Sequence, residues 1–160
     1  MFAQKTLQIS ALNALYDIAE ETSSFDITSV VGLPFAYGNA LYNVAAVIKG
    51  GKILGLVPKS FIPNYSEFYE IRHFTTLAKT VKVNLRDEEI LFGTKLLFKD
   101  KDIADYCFAI EICEDLWTPL SPSTDHAING ANIILNLSAS DEIVTKSDFR
   151  RDLVRIQSAK

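Results

Sequence analysis

The chain has 160 residues, of which 48% are hydrophobic, enough for one domain or a large piece of one with a buried core. A net charge of −4 with no basic stripe argues against nucleic acid as a partner, and the longest apolar runs, such as Leu41 to Ile48, are too short to span a bilayer. Two cysteines, Cys107 and Cys113, make no disulfide framework, and no signal peptide is evident, so a cytoplasmic setting with no membrane partner is expected.

Apolar residues recur at helical spacing from Leu7 to Ala19 and predict an amphipathic helix. Ile27 to Leu33 reads as a buried strand that Pro34 breaks. Leu41 to Ile48 and Ile53 to Val57 flank Gly50-Gly51 and predict a tight hairpin, because both turn residues need positive φ. Pro58 to Phe74 loses periodicity and is rich in aromatics. Val81 to Leu85 and Ile90 to Phe98 read as strands around Gly93, and Tyr106 to Cys113 as a further buried strand. A helix is expected over Asp125 to Asn129, starting from the polar run Ser121-Pro122-Ser123-Thr124, then a strand over Ile133 to Leu137 and a helix from Phe149 to Ala159. Strands alternating with helices, plus a hairpin, give an α/β fold with a mixed sheet. Helices that start and stop at the chain ends suggest an excised segment.

Cys113 stands where a buried strand runs into the polar turn Glu114-Asp115. Strand ends of open α/β sheets carry ligand sites, and a nucleophile there is exposed and aimed. The strand alone fits a buried, inert thiol somewhat better, and that is the reading for mid-strand Cys107. His73 and His126 lie in no context specific to a Cys–His pair, and Cys-x5-Cys with two scattered histidines fits no usual zinc spacing, so no metal is expected. Lys59, just past Pro58 at the end of the second hairpin strand, is the better source of charge for a thiolate and a developing oxyanion, although alone it reads as a surface lysine.

Three segments taken together say more. Pro58-Lys59-Ser60-Phe61-Ile62-Pro63-Asn64-Tyr65-Ser66-Glu67-Phe68-Tyr69-Glu70, then Glu111-Ile112-Cys113-Glu114-Asp115-Leu116-Trp117, then Asn136-Leu137-Ser138-Ala139-Ser140 resemble the nitrilase superfamily. Within it they look like the glutaminase domain of bacterial glutamine-dependent NAD synthetases, as do Arg150-Arg151 and Gln157-Ser158-Ala159. The resemblance implies a four-layer α-β-β-α sandwich, incomplete here, forming one partial domain over residues 1–160. It implies Cys113 as the nucleophile, Lys59 as stabiliser of thiolate and oxyanion, and Glu67 as a supporting glutamate eight positions after the lysine. Glutamine would be contacted from Tyr65, Ser140 and Lys146.

The family's general-base glutamate is expected before this sequence begins, so these residues alone are expected to have little glutaminase activity. ATP and Mg are expected only in a synthetase half: no Ser-Gly-Gly-x-Asp-Ser loop occurs among the 160 residues, and Gly50-Gly51 is no phosphate cradle. A homo-oligomer is implied, and so is self-association of a partial sandwich through open sheet edges. The alternatives are a fragment of a stand-alone nitrilase-type amidase or carbamoylase, and a non-catalytic truncated module.

Overall fold

The computed structural model describes residues 2–160, which divide into two compact units with the boundary between Leu96 and Leu97.

The first unit opens with helix α1 (Lys5–Glu21), which buries Leu15 and Ala19, one turn apart on the face that the apolar spacing marks. Strands β1 (Thr28–Tyr37), β2 (Ala40–Lys49) and β3 (Lys52–Pro58) form an antiparallel meander. Its β2–β3 turn is Gly50-Gly51, with φ of 56° and 79°, as the hairpin reading requires. β4 (Val81–Leu85) and β5 (Glu88–Phe92) pair with each other, and β5 joins β3 in parallel, giving a mixed sheet in the order β1-β2-β3-β5-β4. The helix packs on one face of this sheet. Phe92, fully buried, meets the rings of Phe35, Tyr37 and Tyr42 edge-on at 5.2–5.8 Å between centroids.

Two expectations need correction. Pro34 does not end its strand: β1 runs on to Tyr37. Asn43, opposite Pro34, turns its carbonyl to the N–H of Lys59 at 2.8 Å, on the β3 side. Pro34 therefore sits in a non-hydrogen-bonded pair on an edge strand, where its missing donor would have faced no partner. The segment Ile90 to Phe98 is not one strand either. It splits at Gly93, the first part ending β5 and the last beginning β6 (Leu97–Lys99) in the other unit. Gly93 donates its N–H to Leu56 at 3.0 Å, and a Cβ there would lie 2.2 Å from the Thr80 hydroxyl, so the chain leaves β5 through a space only glycine fits.

The second unit is a three-stranded sheet in the order β6-β7-β8. β7 (Cys107–Ile112) is buried at every position and pairs antiparallel with β6 and parallel with β8 (Ile133–Leu137). Complete burial explains its unbroken apolar character, interrupted only by Glu111. A 3-10 turn over Cys113–Trp117 follows, then helix α2 (Pro122–Ile128). α2 begins in the polar run Ser121 to Thr124 that the sequence marks as its start: Ser121 caps it by accepting from the Ser123 N–H and Pro122 supplies a pre-set first turn. Helix α3 (Lys146–Ala159) closes the unit and starts three residues before the expected Phe149. Among the described residues no helix is long and apolar enough to cross a membrane.

Candidate active site

In the first unit, Lys59 extends β3 by one residue through its bond to the Asn43 carbonyl. Its side chain is only 1% exposed, and its Nζ lies 2.8 Å from both carboxylate oxygens of Glu70. Glu70 opens the 3-10 turn Glu70–Arg72, and its own carbonyl accepts the N–H groups of His73 and Phe74. A buried ammonium is costly unless paired, and here two charge-assisted bonds pair it. The carboxylate that meets Lys59 is Glu70, eleven residues on, while Glu67, expected as a supporting glutamate, is exposed on the same loop. Counting along the segment could not separate the two, since the chain between them follows no helix or strand. Tyr65 is half exposed on this loop, with its ring edge-on to Phe68 at 5.7 Å.

In the second unit, Cys113 is the first residue past β7, partly exposed, with φ of +48°. A non-glycine residue in this left-handed region costs about 1–2 kcal/mol. Around it lie two carboxylates that the sequence reading did not single out. Asp115, 1% exposed, accepts the Ile112 N–H at 2.8 Å. Glu111, also 1% exposed, accepts from the Ser121 hydroxyl at 2.6 Å, the Ser123 N–H at 3.1 Å and the Asn136 amide at 3.2 Å. The available signal was a carboxylate inside an otherwise apolar strand, which needs dedicated partners.

Ser140 is half-buried three residues past β8. Lys146 is the first residue of α3, a position the helix dipole makes unfavourable for a cation. Asp141 offsets this by pairing with its ammonium, which also stands 5.7 Å from the centroid of Trp117. Trp117 stacks on Phe149 at 5.6 Å. The second unit therefore links Lys146, through Trp117, to the 3-10 turn that carries Cys113. Lys59 and Tyr65 belong to the first unit, where Lys59 is drawn to Glu70. Cys107 lies in the core beside Ala109 and Ala131, as an inert thiol would.

No family model matches the chain. Over 158 residues it is 36% identical to the glutamine-dependent NAD(+) synthetase of Mycobacterium tuberculosis, a match covering 98% of this chain and 23% of that protein. The crystal structure of a glutamine-dependent NAD(+) synthetase from Cytophaga hutchinsonii superposes with a TM-score of 0.81 at 32% identity, over 96% of this chain and 24% of that one. A carbon-nitrogen hydrolase from Helicobacter pylori shares the fold at a TM-score of 0.65 and 21% identity, over 95% of this chain and 48% of its own. The chain spans about a quarter of the length of the curated relatives it matches. Along almost its whole length it is therefore related to one part of the glutamine-dependent NAD synthetases, and its fold is that of the carbon-nitrogen hydrolases of the nitrilase superfamily.

Proposed function

We propose that the chain is part of a glutamine amidohydrolase domain that releases ammonia for the ATP-dependent amidation of deamido-NAD. The observation that carries this reading is Cys113, a partly exposed cysteine held left-handed at the end of a buried strand. Its Sγ attacks the side-chain amide carbon of glutamine, giving a tetrahedral oxyanion. The C–N bond then breaks, ammonia leaves with the proton it has gained, and a thioester remains. Water cleaves the thioester to glutamate and restores the thiol.

Lys59 is the cation assigned to thiolate and oxyanion, and its buried pairing with Glu70 supports a role in which its orientation is fixed. Glu67 keeps at most a supporting place on the same loop. Tyr65, Ser140 and Lys146 are assigned to glutamine, with the Lys146 ammonium suited to a carboxylate. No residue here is assigned as general base, and ATP and Mg belong to the synthetase reaction. The protein is read as a cytoplasmic homo-oligomer, supported by two free thiols and by exposed apolar side chains such as Leu120, Ile128 and Val144.

The test is ammonia release from glutamine by the gene product that carries these residues. Cys113→Ser should abolish it, and Lys59→Met should lower kcat by about 100-fold or more, as loss of an oxyanion donor does. Undiminished release by Cys113→Ser would overturn the reading.

A further inference from the structure

We propose that Asp115 is a positioning residue for Cys113: it holds the backbone N–H of Ile112, just before the cysteine, and keeps Cys113 left-handed, while Glu111 ties the end of β7 to α2 and β8. The inference rests on the amide-hydrolase reading of Cys113.

A left-handed non-glycine residue persists only where its surroundings over-determine it. Here the chain closes on itself around the cysteine. Asp115, two residues after Cys113, reaches back to the amide of Ile112, one residue before it, at 2.8 Å. For Cys113 to relax into an extended or right-handed conformation, this bond has to break. Both ends of it are buried, so no water replaces the lost partner. Aspartate suits the place because its short arm returns to a nearby backbone N–H and both its oxygens are acceptors. The Thr118 hydroxyl donates to the Asp115 carbonyl at 2.9 Å and fixes the far side of the turn.

The grip needs a fixed base, and Glu111 provides it. One of its oxygens takes two donors from the first turn of α2, Ser121 and Ser123. The other takes the amide of Asn136, directly across on β8. Gln157 of α3 extends the tie by donating to the Ser123 hydroxyl at 3.1 Å. The end of β7 is thereby tied to α2 and β8 directly and to α3 through Ser123. Neither carboxylate is assigned to the substrate. Their effect runs through the placement of Sγ, where an error of about 1 Å costs on the order of 100-fold in rate.

The experiment measures covalent capture of Cys113 by a chloroketone analogue of glutamine, read by mass spectrometry, with glutamine as protectant. Asp115→Ala should slow the maximal capture rate by about tenfold or more while leaving the half-saturating concentration within about twofold. Asp115→Asn, which retains an acceptor for the Ile112 N–H, should recover most of that loss. Capture by a folded Asp115→Ala protein at the wild-type rate would overturn the proposal. If the alanine variant does not fold, hydrogen exchange on the wild-type protein decides. An Ile112 amide as protected as those of central β7 supports the grip, and one exchanging like an open loop overturns it. If glutamine does not protect the wild-type cysteine while iodoacetamide still modifies it, the amide-hydrolase reading falls, and the positioning role falls with it.

Discussion

At the scale of single residues, the left-handed backbone of Cys113 has a cost that a stability measurement can read. Glycine accepts that conformation freely and alanine does not. Cys113→Gly should therefore be more stable than Cys113→Ala by about 1 kcal/mol, the reverse of the order expected in a strand or helix. Paired thermal melts check this, and equal stabilities would mean the backbone is not strained there. The Lys59–Glu70 pair makes a second point. Removing Glu70 leaves a buried ammonium without its carboxylate, so Glu70→Ala should cost on the order of 3 kcal/mol, whereas Glu67→Ala at an exposed site should stay within about 0.5 kcal/mol. Denaturant midpoints of the two variants separate them. The strand-end positions of Cys113 and Lys59 were legible in the sequence because an apolar strand runs directly into a polar or proline-marked turn at each. Glu70 was not, because the path between Tyr65 and His73 is irregular and places side chains by tertiary contacts.

At the scale of elements, periodicity served best where burial was one-sided or complete. α1, the Gly50-Gly51 hairpin and β8 stand where the pattern put them, the hairpin because positive φ admits few other residues. The misses came from punctuation. Pro34 is a breaker only in a strand that needs its N–H, and an edge position removes that need. Ile90 to Phe98 is two apolar stretches around Gly93-Thr94-Lys95, and that short polar break does not itself say that the two stretches belong to different sheets. The steric fit at Gly93 makes a testable claim. Gly93→Ala pushes a methyl group into the Thr80 side chain and should destabilise by about 1–3 kcal/mol, while Gly93→Ala combined with Thr80→Gly should recover part of the loss. Full additivity of the two changes in urea melts would show that the contact does not govern this exit.

At the scale of the whole molecule, fold class and kinship were the most legible features, because three motifs spread over eighty-three residues, from Pro58 to Ser140, carry more information together than any one of them. The division into two units was not legible. The boundary falls between Leu96 and Leu97, and the only break in composition beside it is the three residues Gly93-Thr94-Lys95, no longer than an ordinary turn. Oligomeric state belongs to this scale as well. With Val144 90% exposed and Leu120 and Ile128 each 79% exposed, the chain should self-associate at micromolar concentration. Sedimentation velocity across a concentration series checks this, and a single monomeric species throughout would count against the oligomeric reading.

The strained backbone at residue 113 also bears on how such a sequence drifts. A position whose conformation suits glycine, yet holds cysteine, is kept from its most stable residue by some demand other than folding. Once that demand is lifted, mutation and selection for stability both push toward glycine or asparagine, with nothing pulling back. Among descendants of this chain, a cysteine retained at this turn would mark lineages in which that demand persists. Its replacement by glycine would mark those that have shed it while keeping the fold.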